Sequence, residues 1–376
     1  MKQYTCKLGH PILPLTFFGW DVLGARLDEF ARTGLFRTHC RRCSVCGEDL
    51  RVERRESFKV GDWIEVRSLA EICATLGARA TLDALPFMPE MARYCGQRFK
   101  VFKRAHKACD TLGTYMNRGM ADAVHLDLRC DGSAHGDCQA GCLIYWKTAW
   151  LKPVEGPLPE DAAAPMAGRP ATSDLERLEA ATRQEGADDG APRYACQATE
   201  LGRATTPLCP FAPKSYIEDV TSGNVSCRDF LWGVAIELYN MVQGRLGLGR
   251  HYPSVRGNAP KGMPPTVLDL RPGERVQVRS KAEIMATLGP DQKNRGLWFD
   301  VEMLPHCGRE YRVLRRVEQI IDEKTGKMIR MRNDCIVLDG VVCSGLVSHY
   351  RLFCPRSIPP YWREAWLRRV PEAGPH

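Results

Sequence analysis

Cysteine and histidine recur in this chain at spacings that suit a metal. Cys95 and Cys307 stand 212 positions apart, and each is followed by glycine. Cys130 and Cys343 each come shortly after a Leu-Asp pair, Leu126-Asp127 and Leu338-Asp339. Cys138 and Cys354 each lie 8 residues before the tryptophan of a Tyr-Trp pair. One histidine per set, His135 and His349, falls between the last two cysteines. Thiolate and imidazole are borderline-soft donors, and zinc accepts four of them in a closed tetrahedron. The spacing therefore predicts two zinc sites, Cys95/Cys130/His135/Cys138 and Cys307/Cys343/His349/Cys354. Without the histidines, each set would be three thiolates around an open position, as in a catalytic site. The competing expectation is that these thiols are small apolar groups in a core.

The N-terminal segment offers a third set. Cys43 and Cys46 form a CxxC followed by Gly47, and Cys6 with His10 supplies two further donors. Cys40 is an alternative to His10. An iron–sulfur cluster on Cys40, Cys43 and Cys46 is the rival cofactor, but it lacks a clear fourth cysteine. A redox CxxC would call for a βαβ context, which the surrounding sequence does not show.

These residues sit in a duplicated module. Residues 61–110 align with 273–322 without a gap, with about 20 identities over roughly 50 positions. The match resumes at Tyr145-Trp146-Lys147-Thr148-Ala149-Trp150-Leu151 and Tyr361-Trp362-Arg363-Glu364-Ala365-Trp366-Leu367. The organisation expected is a Cys-rich segment over 1–57, a first module over 58–154 and an acidic flexible linker over 155–193. A helical connector over 194–252 and a second module over 270–370 complete it. Each module opens with an alternating strand (63–67, 275–279) after a Gly-acidic turn, followed by a short helix ending at Gly77 or Gly289. Residues 309–321 are predicted as one long strand, with a hairpin turn at Lys324–Lys327 and a further strand over 335–342. The fold class expected is α+β, mainly β, with two small modules resembling SH3-like barrels. In the connector, apolar residues at helical spacing predict a helix over 229–246, packed on a module. A shorter helix over 173–184, capped by Ser173, is expected inside the linker.

Other shared residues have two readings each. The i, i+4 spacing of Trp146/Trp150 and Trp362/Trp366 puts both rings on one helical face, either closing a core or stacking bases or sugars. Glu90 and Glu302 could act as general bases, or form ion pairs with Arg67/Arg279 or Arg104/Arg316. No P-loop, dinucleotide fingerprint or nucleophile elbow is present, so no nucleotide-binding motif supports those chemistries.

Composition narrows the classes. Of 376 residues, 44% are hydrophobic and 26% charged, an ordinary globular balance. The net charge of +8 is spread along the chain, which fits a solvated surface better than a dedicated polyanion site. The start Met1-Lys2-Gln3-Tyr4-Thr5-Cys6 carries no apolar signal region, and the apolar run near 230–242 is broken by Glu237 and Asn240. A cytoplasmic protein is expected, with no membrane partner. In that reducing setting 17 cysteines favour metal or catalysis over disulfides.

The stretches Cys335–Cys343 and Cys354 through Leu367 resemble a group of uncharacterised bacterial cytoplasmic proteins that share a duplicated Cys/His module. The resemblance covers most of both modules and implies a bacterial protein type, with no activity or catalytic residue to carry over. The function expected is therefore a zinc-stabilised tandem-module binding or accessory factor, its partner a protein or a nucleic acid. The alternative is a metal- or thiol-dependent enzyme, hydrolase or oxidoreductase, with one active module and one scaffold module.

Overall fold

The computed structural model describes residues 57–371 except 114–115, 158–171, 185–189, 210–211, 250, 258, 261–263 and 349–350. The candidate ligands Cys6, His10, Cys40, Cys43, Cys46 and His349 lie outside the described residues.

Each module starts from the same strand. In Trp63–Val66, Ile64 and Val66 point into the core and Trp63 and Glu65 do not. In Arg275–Val278 the alternation repeats with Val276 and Val278 inside. Period-2 alternation buries one face only, which fixes the register. Trp63–Val66 lies between Arg98–Lys100 and Leu151–Pro153, both antiparallel. Arg275–Val278 lies between Glu310–Arg316 and Leu367–Arg369, and Ile336–Leu338 adds a fourth strand to that sheet.

A short helix follows each strand, Leu69–Thr75 and Lys281–Met285. Ser68 and Ser280 start them through capping boxes with Glu71 and Glu283, which satisfy otherwise orphaned N–H groups. The next element in each module is a 3₁₀ helix, Pro89–Tyr94 and Val301–His306, carrying Glu90 and Glu302. Cys95 and Cys307 cap these turns. Gly96 and Gly308 then adopt φ of 76° and 79°, a left-handed conformation that a Cβ would strain.

All four shared tryptophans are fully buried. Trp146 lies in a strand (Trp146–Lys147) and Trp150 in a 3₁₀ turn (Thr148–Trp150), so the pair does not share a helical face. The ring of Phe87 meets Trp150 edge-on at 5.3 Å, and Phe299 meets Trp366 at 5.1 Å. Trp150 donates its indole N–H to Thr75, and Trp366 to Thr287. The rings close two cores, one per module.

The architecture is mixed α+β, many short strands in small sheets with few helices. Among the described residues no sheet closes into the expected barrel. The strand expected over 309–321 is two pieces, Glu310–Arg316 and Gln319–Ile321. Its neighbour Ile336–Leu338 runs out at Arg316, and Gln319–Ile321 then pairs with Met328–Arg330 as a separate hairpin. That hairpin reaches the first module, where Gln139 accepts from the N–H groups of Glu318 and Gln319.

By their contacts the described residues divide into two units, one of 57–237 with 253–371, the other holding Leu238–Tyr252. Both modules belong to the first. Within residues 155–193, the helix Thr172–Thr182 buries Leu178 in the first module's core, and Arg183–Gln184 pairs with Arg193–Tyr194. The helix Cys227–Arg245 presses Gly233 against Phe353 of the second module and stacks Phe230 on the same ring at 5.4 Å. In the other unit, the Asn240 side chain bonds both the N–H and the carbonyl of Tyr252.

Candidate metal centre

The first module brings Glu90, Cys130 and His135 together, with one donor atom from each within 4.8 Å of the others. The loop from Cys130 to Cys138 makes this possible. Its start is held by the backbone of Cys130, whose N–H bonds the Cys142 carbonyl. Asp131 then folds the chain back by accepting from the Ser133 N–H and hydroxyl. The Gly132 carbonyl accepts from the N–H groups of His135 and Asp137. Gly132 has φ of 76°, and a Cβ there would lie 2.1 Å from the Cys138 carbonyl oxygen. Only glycine lets the loop close so tightly. Arg93, one turn beyond Glu90, clips the loop by pairing with Asp131 at 2.6 Å.

The centre is buried and incompletely bonded. Cys130 donates its S–H to Glu90 Oε1 at 2.9 Å. His135 Nδ1 stands 3.1 Å from the same oxygen, yet off the line of a hydrogen bond, so both ring nitrogens lack one. Glu90 Oε2 also lacks a partner, and His135 is 1% exposed. Burial alone would raise the Glu90 pKa, but His135 and Cys130 outweigh it and hold the carboxyl below its usual range. The Cys130 thiol is pushed up, first by burial and then by Glu90. Unsatisfied buried polar atoms carry a penalty of about 1–3 kcal/mol each, which a bound cation would remove. Carboxylate, thiolate and imidazole are all zinc-type donors, and this cluster could hold a metal ion.

The centre borders a cavity of about 440 Å³, which Cys130 and His135 line. Its other walls come from residues 138–145, the start of the helix Gln197–Ala204, the hairpin Gln319–Ile321/Met328–Arg330 and residues 356–361.

The second module uses the equivalent residues differently. Glu302 Oε2 accepts from the Ser344 N–H at 3.2 Å, the Gly345 N–H at 3.1 Å and the Ser344 hydroxyl at 2.5 Å. Oε1 accepts from the Val347 N–H at 2.8 Å. Both oxygens are thus engaged by the loop that follows Cys343. Burial, then Glu302 and Asp300, raise the Cys343 thiol.

The remaining predicted ligands are placed elsewhere. Cys95 is buried in the first core beside Cys73, its thiol pushed up to about 12 by desolvation. Cys307 packs against the second core. Cys138 accepts from the Ile321 N–H at 3.3 Å and lines the cavity together with Cys142 and Cys196. Cys354 faces Cys109 of the first module, accepting from its N–H at 3.2 Å. The hydrogen bond from Cys354, with Arg356 and Arg351 nearby, lowers the Cys109 thiol.

The arginines expected to pair with the shared glutamates have other partners. Arg67 and Arg279 pair with Glu71 and Glu283, four residues on along their helices. Arg104 pairs with Glu218, and Arg316 with Glu364. The sequence predicts Cys130 and His135 together as ligands and Glu90 only as a shared carboxylate; that Glu90 joins the two depends on a non-local contact across 40 residues.

Comparison with protein-family models, with curated proteins and with solved structures gave no match. Among the described residues no helix is long and apolar enough to cross a membrane.

Proposed function

We propose that this chain is a zinc-dependent enzyme of the hydrolase type, with its centre in the first module and the second module as scaffold. The observation that carries this reading is the triad Glu90/Cys130/His135, of which Cys130 and His135 line a cavity, with buried imidazole and carboxylate atoms that have no hydrogen bond. Three protein donors beside a cavity leave a fourth position for water or substrate, the mark of a catalytic rather than a structural zinc. There the metal would polarise a bound oxygen as a Lewis acid or lower the pKa of bound water. The engaged oxygens of Glu302 support the division of labour between the copies.

Among its ligands, Cys130 would bind as thiolate, so metal uptake displaces the proton now held near Glu90. Asp131 and Arg93 fix the loop, while Gly132 sets its curvature.

The accessory-factor reading draws support from Cys138 and Cys142, which line the same cavity. Either thiol could close the fourth position and make the site structural. Elemental analysis of protein purified without chelator separates the two. Under the enzyme reading, Cys130→Ser and His135→Asn each lower the zinc content by about one per chain, while Cys95→Ser, Cys307→Ser, Cys138→Ser and Cys142→Ser leave it unchanged. Loss of that zinc in Cys138→Ser or Cys142→Ser would favour a closed, structural site. Unchanged zinc in Cys130→Ser would remove the centre altogether.

A further inference from the structure

The charged groups around the cavity are already engaged. Arg356 bonds the Cys109 carbonyl at 3.1 Å and pairs with Glu323 at 3.1 Å. Glu323 is also bonded by Thr111. Asp322 holds its own hairpin turn through Thr325 and Lys324. The Gln197 side chain is taken up by Tyr145 and Pro86 backbone. What remains on the walls is mostly apolar, including Met88, Leu112, Ile144, Ile320, Ile329 and Pro359.

Two lining polar side chains are buried and lack a hydrogen bond. One is His135 of the metal centre. The other is Tyr145, 3% exposed, whose hydroxyl has no partner. A buried tyrosine hydroxyl normally finds one. Burial also raises its pKa well above the usual value, so it stays a neutral O–H donor. The volume of about 440 Å³ falls among pockets that hold small organic molecules, about 300–1,000 Å³.

We infer that the cavity takes a compact, neutral, mainly apolar molecule that carries an oxygen donor to meet the metal and an acceptor for the hydrogen bond of Tyr145 on the same cavity wall. The hairpin of the second module forms the wall that selects the apolar body. This rests on the zinc reading for the metal contact, but the apolar cavity stands apart from it. Tyr145 is a positioning residue, and an unpaired hydroxyl in an apolar wall discriminates against ligands that lack an acceptor. Charged or polymeric substrates have no unpaired counter-charge among the described lining residues. The second module thereby sets specificity for chemistry centred in the first, which gives the scaffold copy a role at the site.

The test uses the full chain and three probes. N-phenyl-1-naphthylamine, a neutral apolar dye, reports the cavity by fluorescence. Acetohydroxamate and benzohydroxamate report the metal without and with an apolar body, by calorimetric titration. Elemental analysis of each sample fixes the zinc content. The wild type should bind the dye and bind benzohydroxamate at least tenfold more tightly than acetohydroxamate. Ile320→Asp should abolish dye binding and erase the difference between the hydroxamates, leaving acetohydroxamate affinity and zinc content unchanged. Tyr145→Phe should weaken both hydroxamates about fivefold, the loss of one hydrogen bond of about 1 kcal/mol, and leave dye binding intact. Dye binding that survives in a chain without zinc, with no hydroxamate binding, would overturn the zinc reading and keep the apolar cavity. Full zinc content with no dye binding and equal hydroxamate affinities would overturn the inference about the ligand and keep the zinc reading.

Discussion

The two modules carry the same glutamate in opposite circumstances, and isosteric replacement should separate them. In Glu302→Gln the amide oxygen can serve only one of the two positions now held by carboxylate oxygens. If it stays with Ser344 and Gly345, the amide NH₂ faces the Val347 N–H, which Glu302 now accepts at 2.8 Å. An unsatisfied N–H of this kind costs about 1–3 kcal/mol, and losing the charge on the other bonds removes roughly half of each. The sum is a loss of about 3 kcal/mol in unfolding free energy. Glu90→Gln differs because Glu90 accepts only from the Cys130 thiol and has a buried oxygen without a partner. Gln relieves desolvation but gives up the His135 and Cys130 interactions that hold the carboxyl below its usual range, so the metal-free protein should lose no more than about 1 kcal/mol. Urea unfolding of both variants in chelator gives these values. Adding zinc should then stabilise the wild type and Glu302→Gln through preferential binding to the folded state, and Glu90→Gln far less. Equal costs in chelator, or zinc stabilisation kept in Glu90→Gln, would refute the division between a metal-binding copy and a scaffold copy.

Three further outcomes follow from the geometry. His125 is fully buried and donates Nδ1–H to the Ile144 carbonyl, and desolvation lowers its pKa to about 3 from 6.5. Because the unfolded chain binds this proton and the folded chain does not, His125 makes stability fall as pH drops from about 6.5 toward 3, by up to about 1.4 kcal/mol per pH unit; in His125→Gln, measured by urea unfolding across that window, the slope should be shallower by that amount. Asp219 sits between Lys107 at 2.5 Å and His106 at 3.1 Å with its side chain and that of Lys107 buried, so Asp219→Asn should cost about 3–5 kcal/mol by leaving an ammonium unpaired, and Asp219→Leu with Lys107→Met should recover most of it in thermal unfolding. Gly132→Ala forces a Cβ into the Cys138 carbonyl, so the Cys130–His135 turn should open and the zinc of the first module should be lost on elemental analysis.

Much of the frame is legible in the sequence because it depends on local patterns. The alternation at Trp63–Val66 and Arg275–Val278, the short helix after each, and the long helix near 227–245 are each set by residues close in the chain. The centre is less legible because its members meet through tertiary packing. Cys95 is shared by both copies, yet its partners are Cys73 and the core, since a thiol at a 3₁₀ C-cap can turn inward as readily as a hydrophobe. Glu90 reaches Cys130 across 40 residues, and no spacing rule covers that. The hairpin at Gln319–Ile321 looked like an extension of one strand because alternation does not reveal where a partner strand ends. The cavity it helps to form has no sequence signature, as its walls come from both modules.

X-ray absorption at the zinc edge tests the centre most directly. The sample should be the full chain carrying Cys43→Ser and Cys46→Ser, so that the signal comes from the described site. An open Glu90/Cys130/His135 centre predicts one sulfur at about 2.3 Å and the remaining ligands nitrogen or oxygen at about 2.0–2.2 Å, with one oxygen replaced when acetohydroxamate is added. Two or more sulfurs, and a spectrum unmoved by acetohydroxamate, would contradict it and describe a closed structural site.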